Sequence, residues 1–303
     1  MHPFSRRRLE LSIVIAAYNM ARELPRTVYS LARTYQRGID DLAYEIIVVD
    51  NGSPIPVDQE AVEAIAPEVR VMRAEGLGVS PAKAVNRAVA STTACNVGIV
   101  LDGARLVTPG VLALARIGLA VDHNALVTTL AWHLGPEHQT LSQQSGYGAA
   151  VEDALLESIG WPEDGYRLFE IAALAGSNPQ GWFGPVNESC CTFLSRDSFV
   201  ALGGYDEAFS SPGGGFVNLD FFSRAIERTN AGQVVLLGEG SFHQIHGGVA
   251  ANSREPEKVG QEFASEYERV RKRPYARPQI DPLYIGRLPR LAANWIETEV
   301  RDS

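Results

Sequence analysis

Leu11-Ser-Ile-Val-Ile-Ala-Ala-Tyr-Asn19 and Tyr44-Glu-Ile-Ile-Val-Val-Asp-Asn-Gly-Ser53 share one pattern, a β-branched run that stops abruptly in short polar residues. Runs apolar at nearly every position, rather than at alternate ones, fit strands buried on both faces, as in a parallel sheet covered by helices. Between and after them the apolar spacing changes to that of amphipathic helices, so the first part of the chain reads βαβαβαβ. The predicted strands cover 11–17, 44–50, 69–73 and 96–101, and the helices about 23–35, 58–66 and 81–90. A further helix is expected to open at Pro109 with Thr108 as its cap, followed by a strand over 125–130. Tyr18-Asn19, Asp50-Asn51-Gly52-Ser53 and Asp102 follow three of these strands. They would meet at the carboxyl edge of the sheet, where open α/β sheets bind ligands.

At 303 residues the chain can bury a sizeable core without disulfide or metal staples. Its 45% hydrophobic and 21% charged content excludes a disordered, collagen-like or coiled-coil protein. The net charge of −9 disfavours general attraction to nucleic acid or anionic membranes, so a phosphate-bearing partner must be held locally. Three cysteines, Cys95 and the adjacent Cys190 and Cys191, make neither a disulfide framework nor a Cys-x-x-Cys metal knuckle, and a reducing cytoplasmic setting is expected. Arg6-Arg-Arg8 ahead of an apolar run superficially copies a signal peptide, but Glu10 interrupts it and the run is too short to span a bilayer. No transmembrane segment is expected; contact of the basic triplet with a membrane surface is the lesser alternative to a solvated N-terminus.

From His133 to Pro185 the periodicity weakens and aromatic residues accumulate, the pattern of an insertion over a site. Strands over 191–194 and 234–237 and helices over 197–202, 220–228 and 257–272 follow, then a Pro-punctuated tail over 274–289. The expected division is one domain over 1–252, split near 131 into two halves, and a tail over 253–303. No Gly-x-Gly-x-x-Gly, Walker loop or Gly-x-Ser-x-Gly elbow occurs where it would be needed, which disfavours a Rossmann dehydrogenase and an α/β-hydrolase.

In order and spacing, the two opening stretches with Gly78-Val-Ser-Pro-Ala-Lys-Ala-Val-Asn86 and Val100-Leu-Asp102 resemble the nucleotide-sugar half of glycosyltransferase family 2. Leu202-Gly-Gly-Tyr-Asp-Glu-Ala-Phe209 and Asp220-Phe-Phe-Ser-Arg224 resemble that family's acceptor-side signatures, and the likeness covers about 10–250. The resemblance implies a GT-A fold, an α/β Rossmann-like and mainly parallel sheet flanked by helices, here with a C-terminal helical tail. It also implies transfer of a sugar from a nucleoside diphosphate sugar, a UDP-sugar favoured, to a hydroxyl of a sugar or glycan acceptor, with inversion, in glycan or polysaccharide biosynthesis. By the same resemblance Ala17, Asn19 and Asp50 hold base and ribose, with Tyr18 beside them as part of an apolar shelf. Lys83 and Asn86 share a helix face, and that helix begins near Ser80 with backbone N–H groups free for phosphate.

Two departures from the family pattern stand out. Where Asp-x-Asp is expected after the fourth strand, the chain reads Asp102-Gly-Ala-Arg105, so one carboxylate is replaced by Ala104. Either a divalent cation, Mn²⁺ or Mg²⁺, is held by Asp102 with His243 or His246 of Phe242-His-Gln-Ile-His-Gly-Gly248, or Arg105 takes over part of its electrostatic role. Val217-Asn218 stands where a Glu-Asp pair would supply the base, leaving Asp220 as first candidate and Glu188 as second. Trp182 is the candidate platform for the acceptor sugar, whereas Cys190 and Cys191 read as small buried hydrophobes. The two departures keep open a binding protein that has lost its chemistry, and a sugar-phosphate nucleotidyltransferase is a third reading. A homodimer is compatible with the sequence.

Overall fold

The computed structural model describes residues 8–228, 232–248 and 255–293. Arg6 and Arg7 of the basic triplet lie outside them. Strands β1 (Leu11–Ala17), β2 (Tyr44–Asp50) and β3 (Val69–Arg73) alternate with α1 (Leu24–Leu31) and α2 (Gln59–Glu63). Then come α3 (Ala82–Ala90), β4 (Asn96–Val100), β5 (Arg105–Val107), α4 (Val111–Val121) and β6 (Leu126–Leu134). The middle segment holds α5 (Gln139–Gln144), α6 (Ala149–Ser158) and β7 (Ala172–Leu174). The chain closes with β8 (Cys191–Ser195), α7 (Arg196–Ala201), α8 (Val217–Arg228), β9 (Gln233–His243), α9 (Pro256–Arg271) and β10 (Leu283–Gly286).

The main path of the sheet runs β10-β9-β6-β8-β4-β1-β2-β3, with β5 paired to β9 and β7 to β6. Strands β1 to β4 are mutually parallel where they pair, as the buried β-branched runs require. The sheet is nevertheless mixed, because β8 runs antiparallel to both β4 and β6. Successive residues of β1 serve opposite cores: Ile13 and Ile15 pack with Leu24, Val28 and Leu112, whereas Val14 packs with Val85, Phe199 and Phe221. Each such fully buried side chain contributes about 1.5–3 kcal/mol. A third core gathers Trp132, Phe169, Trp182 and Phe242 beneath the middle segment.

Three expectations are revised. Thr108 does not cap α4; its hydroxyl donates to Glu239 Oε2 at 2.5 Å, and Glu239 also accepts from the Gly110 backbone, so a carboxylate from β9 serves the helix start. The strand expected to end at Leu237 runs on to His243, because Gly238 adopts φ 83° and Gly240 leaves room for the Trp132 ring, which a Cβ there would approach to 2.6 Å. The supposed tail is built into the fold, with Tyr267 of α9 buried in the second core and β10 extending the sheet beside β9.

Gly98 on β4 lies opposite Phe193 on β8, and a Cβ at Gly98 would stand 2.7 Å from that ring. Overpacking at a well-filled site destabilises by about 1–3 kcal/mol. Gly98→Val is therefore expected to lower the denaturant midpoint by that equivalent, measured by tryptophan fluorescence.

Candidate active site

The carboxyl edge of the parallel strands opens into a cavity of about 510 Å³. Ala16 and Ala17 at the end of β1, Tyr18 after it, Asn51 after β2, Val79 and Pro81 before α3, and Leu101 and Asp102 after β4 contribute to its wall. The opposite wall comes from Cys190, Pro212-Gly213, Gly215, Asn218, the 246–248 loop and Phe263 of α9.

Asp102 sits on a turn that α1 pins in place. Thr27 donates its hydroxyl to the Gly103 carbonyl at 2.8 Å and accepts from the Arg105 N–H at 3.0 Å. Asp102 Oδ1 accepts from the Ala104 N–H within the turn, which leaves Oδ2 toward the cavity. Ala104 is fully buried in the first core, so the position of the missing carboxylate faces apolar packing and has no room for one. The replacement ligands arrive from the far side of the sheet. Arg105 pairs with His243 across the β5–β9 ladder, and the Gln244 N–H donates to the Ala104 carbonyl at 2.8 Å. His243 Nε2 is thereby 2.7 Å from Asp102 Oδ2, and His246 Nε2 is 3.4 Å from that oxygen and 3.1 Å from His243 Nε2. Ligand atoms of the three residues all lie within 4.8 Å of one another. Gly248 lets the loop close over His246, since a Cβ there would come within 2.8 Å of the imidazole.

The electrostatics of the triad follow from its enclosure. Burial works to raise the Asp102 carboxyl, but the two facing imidazoles outweigh it and hold the group well below the usual range. Burial pushes His243 down despite Asp102, while for His246 the same carboxylate prevails over burial and pushes it up. One carboxylate and two imidazole nitrogens converging from three directions are a donor set that fits a divalent cation. Arg105 is buried beside them; burial opposes its charge, but Cys190, Glu188 and Asp102 outweigh this and raise it further.

The structure distributes the other predicted residues unevenly. Tyr18 is exposed and Ala17 buried, both on the cavity wall. Asn19, at φ 54°, is off that wall and donates its N–H to Ser53 Oγ. Asp50 is 1% exposed and spends its oxygens on the N–H groups of Ser53 and Val57 and on Arg73. It orders the loop beyond β2, and its neighbour Asn51 reaches the cavity instead, with a buried Oδ1 that has no partner. Lys83 is exposed and off the cavity wall. Asn86 makes a two-sided amide contact with the Tyr205 backbone, so it fastens the acceptor-side turn to α3.

Asp220 does not reach the cavity. It is 1% exposed, paired with Arg224 Nε at 2.8 Å and held by Arg271 through both oxygens, which withdraws it as the base. Trp182 is 0% exposed and packs on Trp132 at 5.4 Å, so it is core and offers no platform to a sugar. Glu188 is buried too, accepting from the Cys190 N–H at 2.6 Å and from Ser177 Oγ at 3.1 Å. Burial pushes the thiols of Cys190 and Cys191 up to about 12, in keeping with inert side chains. Asn218, in the place of the expected base, lies on the cavity wall and donates to Ser189 Oγ. Among the described residues on that wall, Asp102 is the one carboxylate.

A mixed sheet in this order, with a cation-type donor set and an apolar shelf at the carboxyl edge, is the GT-A class of architecture. Residues 12–114 match the family described as Glycosyl transferase family 2. Validoxylamine A glucosyltransferase of Streptomyces hygroscopicus subsp. jinggangensis (strain 5008) is 28% identical over 236 residues, 70% of this chain and 50% of that protein. The crystal structure of GalNAc-T7 with UDP, GalNAc and Mn²⁺ shares the fold, with a TM-score of 0.53 at 16% identity over 86% of this chain and 48% of that one. The likeness to glycosyltransferase family 2 thus rests on the donor-side third of the chain, together with the shared fold, and the chain spans about half the length of the curated relative it matches.

Breaking a buried ion pair by removing one charge costs about 3–5 kcal/mol. Asp220→Asn is expected to lose about 3 kcal/mol in chemical unfolding, the lower end because both guanidiniums are partly exposed. The folded variant should still bind nucleotide with wild-type affinity by calorimetry.

Proposed function

We propose that the protein transfers a sugar from a nucleoside diphosphate sugar to an acceptor hydroxyl, with the donor diphosphate held through a divalent cation on Asp102, His243 and His246. The observation that carries this reading is the convergence of those three side chains at the strand ends that also bear Ala17, Tyr18 and Asn51. A cation there would neutralise charge gathering on the leaving diphosphate. Two imidazoles among three ligands favour Mn²⁺ over Mg²⁺. Asn51 Oδ1 is a free acceptor for a base N–H or a ribose hydroxyl, and the Tyr18 ring offers a flat apolar face to the base. Arg105 adds a permanent positive charge behind the triad. A UDP-sugar is the favoured donor, and UDP-glucose is the first to test because the curated relative is named a glucosyltransferase. The acceptor is a sugar or glycan hydroxyl on the Asn218 and Phe263 side. No helix of the described residues is long and apolar enough to cross a membrane.

The purified chain is expected to release UDP from UDP-glucose with Mn²⁺, to lose this activity in EDTA and to regain it on adding Mn²⁺. His246→Ala should lower the rate by about a hundredfold or more. Unchanged activity in EDTA would overturn the cation and pass its role to Arg105.

Transfer with inversion requires a base, and the withdrawal of Asp220 leaves Glu188, whose backbone segment leads directly into the cavity wall at Cys190. On this reading Glu188→Gln lowers transfer by about 10²–10⁴-fold without weakening nucleotide binding. Wild-type transfer by that variant would remove Glu188 from the mechanism. Asn218 in the place of the base also favours a second reading, a nucleotide-sugar binder without turnover. Tight UDP binding with neither donor hydrolysis nor transfer would support it.

A further inference from the structure

Gln139 opens α5 in the middle segment, is 0% exposed, and lies off the cavity wall. Its Oε1 stands 2.6 Å from His243 Nδ1, on the side of the imidazole opposite Asp102 and His246. An amide oxygen only accepts, so this contact requires a proton on His243 Nδ1; Nε2, which shares a proton with Asp102 Oδ2 at 2.7 Å in the metal-free chain, then offers its lone pair to a cation that displaces that proton. The reversed amide would donate to Nδ1 and put a hydrogen on Nε2, which would prevent that nitrogen from binding a cation.

The surroundings of Gln139 accommodate the first orientation. Its Nε2 is buried without a hydrogen-bond partner, as is Nδ1 of His133, whose ring packs edge-on against His243 with centroids 5.5 Å apart. His133 is paired with His243 across the β6–β9 ladder, and its ring nitrogen is an acceptor suited to an amide N–H. The amide is thus flanked by two imidazoles, with its oxygen on the ligand and its nitrogen left for the other. Partners that fix a ligating histidine's tautomer commonly alter metal affinity about 10–100-fold when removed.

We propose that Gln139 is a positioning residue for the cation site: it holds His243 in the Nδ1–H tautomer and so presents Nε2 to the cation. The proposal rests on the Asp102–His243–His246 reading and adds a link from the middle segment, which supplies no cavity-wall residue, to the donor side of the site.

The test has two readouts on the full-length chain. Long-range ¹H–¹⁵N spectra of ¹⁵N-histidine-labelled protein without metal report the tautomer of His243, assigned by its loss in His243→Gln. Wild type should be protonated at Nδ1, Gln139→Glu should keep that state, and Gln139→Leu should lose it. Mn²⁺ calorimetry should show Gln139→Leu about 10–100-fold weaker than wild type, with Gln139→Glu within about threefold. Gln139→Asn, one methylene short of the ring, serves if the leucine variant does not fold. A wild-type His243 with no proton on Nδ1, or an Nδ1 proton that persists in the Leu and Asn variants, overturns the proposal. A tautomer that depends on Gln139 in a protein that takes up no Mn²⁺ refutes the cation reading and leaves the hold on His243 standing.

Discussion

The short antiparallel ladder between Arg105–Val107 and Ser241–His243 is the contact on which the site depends. Asp102 and the two histidines are separated by about 140 residues of sequence, and this ladder sets their distance. It forms because β9 continues five residues past a left-handed glycine and because Gly240 makes room for Trp132. The third core, with Trp132 stacked on Phe242 at 5.3 Å, packs against the same strands. Apolar packing far from the cavity thereby holds three polar atoms within reach of one another.

That geometry changes the meaning of the acidic balance of the chain. A net charge of −9 gives no general attraction for a diphosphate. The cavity answers locally, through Arg105 beneath the wall, a donor set suited to a divalent cation on it, and a single carboxylate that serves that set. Three of the other buried acids are occupied elsewhere: Asp50 orders its loop, Asp220 clamps α9 to α8 through Arg271, and Glu239 caps α4. Each is held by donors strong enough to keep it from a substrate.

The β-branched runs made the parallel half of the sheet legible almost residue for residue, because a strand buried on both faces admits little else. Asp102, His243 and His246 were legible as types of ligand, and the family resemblance pointed to their neighbourhood. What the residues could not reveal was long-range. Gly-Glu-Gly within β9 reads as a turn until Trp132 is known to need the space, and Asp220 reads as a base until Arg271, 51 residues later, is known to cover it. Trp182 looked like a platform because an aromatic side chain in an irregular segment carries no local mark of burial. Asn51 stands beside a more conspicuous aspartate, and its place in the same polar turn is the one local signal of its role. Gln139 had no local signal, since its role exists only through His243.

The most direct test of the account is anomalous diffraction at the manganese edge from crystals grown with Mn²⁺ and UDP. The account predicts a single strong peak within bonding distance of Asp102 Oδ2, His243 Nε2 and His246 Nε2, with the diphosphate of UDP on its cavity side. Ordered UDP in the cavity with no anomalous peak among those three atoms, and Arg105 against the phosphates, would contradict it.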